Sequence, residues 1–165
     1  HGDPLEKTTL EPLPALQTFY EVARAIEFSH ERGIVHGGIA PSNVILSSNG
    51  HPHIVDFAVG QLKRHFDPNT APPVADKGTD IDALHHLFRS LLSGKAFSLI
   101  AAGEIPPLRR VHPAADADFQ NFARTSYPTA SKMADEVARI LQSLPSDYSS
   151  KMGLLDRYRL HERSA

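Results

Sequence analysis

The sequence predicts an α+β fold in which helix predominates. Three observations carry that prediction. Apolar residues recur at helical spacing in three long stretches, within residues 16–26, 81–92 and 133–144. Two short apolar runs, Val44-Ile45-Leu46 and His53-Ile54-Val55, flank Ser48-Asn49-Gly50. That pattern signals a hairpin, because Asn-Gly accepts positive φ at little cost. The chain has 165 residues, 41% apolar and 22% charged, a size and composition that bury a core as one domain.

The elements follow in order. Residues 1–14 are polar and Pro-rich and read as a lead-in. Leu16, Phe19, Ala23 and Ile26 then trace a helix, with Pro14 suited to its start and Gly33 to its stop. Ile34-Val35 reads as a two-residue strand, and the hairpin follows. Residues 58–79, with Pro68, Pro72, Pro73 and Gly78, read as loop. Ile81, Leu84, Leu87, Phe88, Leu91 and Leu92 give the second helix a broad apolar face, so it is expected to be the most buried. Thr79 or Asp80 is its expected cap and Gly94 its stop. Phe97–Ala102 reads as a short helix, and Phe119 with Phe122 marks another. Met133, Val137, Ile140, Leu141 and Leu144 form the last amphipathic helix, entered through Pro128-Thr129. Residues 145–165 are weakly patterned, and a frayed or disordered tail is expected there.

Composition narrows the function. The formal charge of −2 argues against non-specific binding to nucleic acid or anionic membrane. With no Cys, disulfides, thiol catalysis and Cys-ligated zinc are excluded. No apolar run approaches the roughly 20 residues that a membrane-spanning helix needs. The chain begins at His1, which suggests a fragment or processed product. His51-x-His53 and His85-His86 are the closest histidine spacings among ten, and neither forms a zinc motif of the H-E-x-x-H kind.

The informative stretch is Gly33-Ile34-Val35-His36-Gly37-Gly38-Ile39-Ala40-Pro41-Ser42-Asn43, followed thirteen residues after Asn43 by Asp56-Phe57-Ala58. It resembles the catalytic loop and metal-binding turn of eukaryotic-type protein kinases, H-R-D-x-x-x-x-N followed by D-F-G. His30-Glu31-Arg32-Gly33 resembles the end of the helix before that loop. Asp80-Ile81-Asp82-Ala83-Leu84 resembles the start of the central helix of the same lobe, and Pro128-Thr129-Ala130-Ser131 the entry to its closing helix. The resemblance covers residues 1–144 and implies a protein-kinase-like C-terminal lobe without its N-lobe, leaving 145–165 as a tail.

The resemblance also implies which chemistry is missing. The position of the acid that orients a substrate hydroxyl is Gly38, which has no side chain to accept a proton. General-base assistance is worth about 10²–10⁴ in rate. The Arg position is Gly37, and the position of the Lys that contacts the transferred phosphate is Ala40. Asn43 and Asp56 correspond to the family's Mg²⁺ ligands and are hard oxygen donors. They are read either as a surviving metal and nucleotide half-site or as residues that hold the loop backbone. His36 is expected to pack inside, supporting the metal-binding turn. Asp80 either accepts hydrogen bonds from the loop backbone or caps its helix. Ala58 in place of the family's Gly suggests one fixed arrangement at that turn. Ala71-Pro72-Pro73 only partly resembles the A-P-E that closes a kinase activation segment, since Pro73 cannot make the ion pair of Glu.

These readings lead to a catalytically inactive, pseudokinase-like domain that acts through protein contacts. A protein partner or the missing N-lobe is expected; nucleic acid and membrane are not. No cofactor is expected for this chain alone, and ATP with Mg²⁺ only if an N-lobe is supplied. The alternative is the C-lobe of a working Ser/Thr kinase. A cytoplasmic setting is expected in either case.

Overall fold

The computed structural model describes residues 2–57, 75–104 and 107–145. Strand β1 (Gly2–Pro4) leads through a 3₁₀ turn (Leu5–Lys7) into helix α1 (Pro12–Glu31). A second 3₁₀ turn (Pro41–Asn43) opens the hairpin of β2 (Val44–Ser47) and β3 (Pro52–Ile54). Helices α2 (Lys77–Ser93), α3 (Phe97–Ala101), α4 (Asp116–Phe122) and α5 (Ala130–Gln142) follow. The fold is therefore α+β and mainly helical.

Helix α1 is the hub. Pro12 stands at its first turn, where a missing N–H costs nothing and φ is already helical. Its buried stripe is wider than the spacing of four apolar residues suggested, taking in Leu13, Ala15, Leu16, Phe19, Val22, Ala23 and Ile26. It packs against α2, α5 and β3. This corrects one expectation: α1, not α2, is the most buried helix. The first two turns of α2 carry exposed Lys77, Gly78, Thr79 and Asp82. Helix α1 ends where Gly33 takes φ +74°, and the N–H of Gly33 donates to the His30 carbonyl.

The core is tied by rings and by polar staples. Phe19, Phe88 and Phe122 meet pairwise at 4.4–5.9 Å between ring centres, and Tyr127 joins Phe122 at 4.9 Å. Such pairs add about 0.5–1.5 kcal/mol each beyond their area. Arg109 donates to the carbonyls of Leu10, Leu91 and Leu92, binding the start of the chain to the end of α2. Glu27 of α1 accepts from the Ser131 N–H at the start of α5.

Three local expectations are corrected. The lead-in contains a strand, because β1 pairs antiparallel with β2 in a sheet of order β1-β2-β3. Gly-Asp-Pro has little strand preference of its own; pairing with β2 supplies it, and Pro4 is tolerated at an edge. Ile34-Val35 is not a strand: the Ile34 N–H donates back to Ser29 as the chain leaves α1. The cap of α2 is Asp76, in a reciprocal box with Thr79, and the helix begins inside the stretch read as loop. Gly94 at φ +71° ends α2 as expected, and Thr129 caps α5 by accepting from the Lys132 N–H. Ala58, Ala71-Pro72-Pro73 and the tail beyond residue 145 lie outside the described residues.

Candidate functional site

The glycine-rich loop between α1 and β2 is held by one carboxylate. Asp80, on the first turn of α2, is fully buried. Its Oδ2 accepts from His30 Nε2 and from the His36 backbone N–H, each at 2.8 Å. Its Oδ1 accepts from the Gly37 N–H at 2.8 Å. With α2 already capped by Asp76, the Asp80 side chain points away from the helix end and into the loop. Its three donors are all the chain's own, and with no exposed surface the carboxylate is turned to the loop and not to a ligand.

His36 is fully buried behind the loop. Its Nε2 donates to the Val55 carbonyl at 3.1 Å, and its ring lies 4.5 Å from that of Phe57. Burial pushes the imidazole below the ordinary histidine range, against the opposing pull of Asp80. The ring is therefore neutral at pH 7, with Nδ1 as a bare acceptor. That Nδ1 is buried without a hydrogen-bond partner.

The two glycines differ. Gly37 takes φ +71°, a conformation that L side chains rarely adopt, and a Cβ there would lie 2.9 Å from Ala75 Cβ. Gly38 has no such constraint. A Cβ there would be in ordinary contact, 3.9 Å from both Asn43 Nδ2 and His36 Nδ1. Glycine at 37 is required by the backbone; glycine at 38 is not.

The hairpin brings Asn43 and Asp56 to one end of the sheet. Val44 pairs with Ile54, and the Val55 N–H donates to the Asn43 carbonyl. The Asn43 side-chain Nδ2 donates to the Gly38 carbonyl at 2.7 Å, while Oδ1 receives the Ser42 hydroxyl at 3.5 Å. Asp56 is exposed and held at φ 63°. Asp is one of the few residues that tolerate that region. Asn43 Oδ1 and the Asp56 carboxylate are thus two hard oxygen donors at the mouth of the loop. Mg²⁺ bound with nucleotide phosphates uses one or two protein carboxylates, so this pair suits part of such a set. Among the described residues no cluster of three or more His, Cys, Asp or Glu could hold a metal by itself.

Two grooves border the loop. One, of about 250 Å³, is lined by Gly37, Gly38, Ile39, Thr79, Asp82, Ala83, His86 and Phe97. The other, of about 380 Å³, runs past Ala40, Pro41 and Ser42 to Lys95, Phe97 and Arg109. Sequence reasoning missed Asp82 as a groove residue. Its signal was its place two residues after Asp80, which turns it to another face of α2.

Comparison with known proteins finds similarity to serine/threonine-protein kinases. Over 94 residues, 54% of this chain and 11% of the relative, the sequence is 32% identical to the serine/threonine-protein kinase greatwall of Xenopus laevis. Over 151 residues, 84% of this chain and 16% of the relative, it is 27% identical to greatwall of Mus musculus. Over 174 residues it is 22% identical to the serine/threonine-protein kinase PknB of Mycolicibacterium smegmatis, covering 84% of this chain and 28% of that protein. The chain thus spans 11% to 28% of the length of these relatives. No family model matches the chain. The similarities support a relationship to the protein kinase superfamily.

Proposed function

From this relationship to the protein kinases, we propose that the chain is a catalytically silent, kinase-like C-terminal lobe that acts by binding another protein in the cytoplasm. The observation that carries the reading is Gly38. It stands where an acid would orient a substrate hydroxyl, and the buried carboxylate of Asp80 is held by His30, His36 and Gly37. Ala40 supplies no charge for a transferred phosphate. Without these groups, positioning and electrostatic stabilisation, which are most of the catalysis in phosphoryl transfer, are lost at the reacting end. Asn43 and Asp56 would still hold Mg²⁺ on the phosphates of a nucleotide, given a second lobe to cover it. Bound there, the metal would supply positive charge to offset that of the phosphates. The partner is a protein or a separate N-lobe; exposed Phe28, Ile34 and Val55 offer apolar contact near the loop. The test is phosphate transfer from Mg·ATP to a Ser/Thr protein substrate. No transfer above background is expected, and transfer abolished by Asp56→Ala would overturn the reading.

A second reading rests on Asp82. Asp82 is exposed and lines the same 250 Å³ groove as Gly38, and in this reading it replaces the missing acid. The chain would then be the C-lobe of a working Ser/Thr kinase. Transfer that survives Asp82→Asn would remove this reading.

A further inference from the structure

The tip of the hairpin between β2 and β3 carries an asparagine followed by a glycine, and the turn itself holds the asparagine side chain. We propose that this tip is a site of spontaneous self-modification, in which the Gly50 backbone nitrogen attacks the Asn49 side-chain amide and converts Asn49 to isoaspartate.

The choice of site follows from which residue comes next. An asparagine amide is open to attack by the main-chain nitrogen after it, which closes a five-membered ring. A side chain on that next residue hinders the approach. The chain has four asparagines, at 43, 49, 69 and 121, followed by Val44, Gly50, Thr70 and Phe122. Val and Thr are β-branched and Phe is aromatic; Gly50 alone presents its nitrogen without a Cβ. Asn49 and Gly50 are both exposed, and nothing lies within 4 Å of where a Cβ on Gly50 would stand. Water therefore reaches the ring once it forms.

The turn also prepares the electrophile. Asn49 Oδ1 receives the Ser47 hydroxyl at 2.5 Å and the His51 N–H at 3.4 Å. The hydroxyl lies 2.9 Å from the His51 carbonyl as well, so its one hydrogen is shared between two oxygens. Donors on Oδ1 draw charge from the amide carbon and stabilise the oxyanion that forms on attack. One bond opposes the reaction: the Gly50 N–H donates to the Ser47 carbonyl at 2.8 Å. A net hydrogen bond is worth about 0.5–1.5 kcal/mol, which slows the attack by roughly 2- to 10-fold and leaves it open. The step needs no reagent but water. The Gly50 nitrogen gives up its proton and bonds to Asn49 Cγ, the Cγ–Nδ2 bond breaks, and ammonia leaves with that proton. Water then opens the ring. Opening at the main-chain carbonyl leaves isoaspartate, with one more carbon in the backbone; opening at Cγ leaves aspartate. Either product adds a negative charge to the tip. The native turn is closed by Gly50 N–H to Ser47 and by Ser47 N–H to the His51 carbonyl. Beside it, His51 Nδ1 donates to Glu21 of α1 at 2.9 Å. A backbone lengthened between Ser47 and His51 does not fit that closure, so the modification releases the hairpin tip from α1.

The full chain, held at neutral pH and body temperature and followed by mass spectrometry, tests this. A gain of one mass unit, NH₂ exchanged for OH, is expected on the peptide that holds Asn49. The gain is expected to quicken as pH rises, because the attacking nitrogen must lose its proton. An isoaspartyl methyltransferase with labelled S-adenosylmethionine is expected to mark the aged chain and not the fresh one. Asn49→Gln, whose amide stands one carbon too far to close the same ring, is expected to fold normally and stay unmarked. Ser47→Ala is expected to gain the mass several-fold more slowly. In the aged fraction, separated by ion exchange, the His51 ring resonance is expected to move. No mass gain over several weeks, or marking that persists in Asn49→Gln, would overturn the site. An unchanged rate in Ser47→Ala would overturn the assistance at Oδ1, and an unmoved His51 resonance the release from α1. None of these readouts depends on phosphate transfer, so an active chain would refute the silent-lobe reading and leave this one standing.

Discussion

Replacing Asp80 with Asn tests how the loop is held. Asp80→Asn keeps the shape of the side chain and exchanges one acceptor oxygen for an NH₂. The remaining oxygen best serves His30 and the His36 amide, which share Oδ2 in the native chain. The Gly37 N–H, which is partly buried, then faces an NH₂ donor on a fully buried side chain. One charge-assisted bond is lost, the others weaken to neutral ones, and one partly buried donor is left unsatisfied. Hydrogen bonds to charged groups are worth about 1.5–3 kcal/mol, and an orphaned buried group costs about 1–3 kcal/mol. The two figures overlap, so the expected loss is about 2–4 kcal/mol, a large share of the roughly 5–15 kcal/mol that holds a domain folded. Urea unfolding is expected to show a lower midpoint at unchanged slope. Amide hydrogen exchange is expected to quicken at His36 and Gly37 before it does in α1. A loss under about 0.5 kcal/mol, with protection at both amides intact, would refute Asp80 as the organiser of the loop.

Further outcomes follow from the same geometry. Gly37→Ala is expected to destabilise by about 1–3 kcal/mol, since it combines positive φ with the close approach to Ala75, whereas Gly38→Ala is expected to be neutral or slightly stabilising in the same melts. Burial lowers the pKa of His36 and of His85, so the folded state favours their neutral forms. The unfolded chain therefore binds more protons below the ordinary histidine value of 6.5. Stability should be level above that pH and decline as pH falls toward the lowered folded values, which urea midpoints taken from pH 7.5 to about 5 would register. His85→Phe, which keeps a ring against Phe122 and Tyr127, should flatten part of that decline, and an unaltered profile would show that His85 does not contribute. Phe88→Ala removes a fully buried ring from the contacts with Phe19, Phe119 and Phe122; a loss of about 3–5 kcal/mol is expected in chemical denaturation.

Much of the architecture is legible in residue order. Leu16, Phe19, Ala23 and Ile26 mark the inward face of α1, and the Met133 to Leu141 spacing marks that of α5, because a helix repeats its neighbours every three or four residues. Asn49-Gly50 marks the hairpin because the turn is local. Glycine at 37 and 38 points directly to a loop stripped of side-chain chemistry. What escaped the reading depends on partners far away in sequence. Gly2–Pro4 is a strand only because β2 lies beside it. Asp76 takes the cap of α2, which freed Asp80 for the loop; both residues have capping chemistry, and only the path of the chain distinguishes them.

By itself the sequence determined the helices, the hairpin and the empty positions at Gly38 and Ala40, since each is a matter of neighbouring residues. The tertiary structure alone decided that Asp80 joins His30 across 50 residues and His36 across 44, and that His36 Nδ1 is left buried beside Gly38. Contacts of that range depend on how α1 and α2 pack, and packing is a property of the whole core that no local pattern encodes.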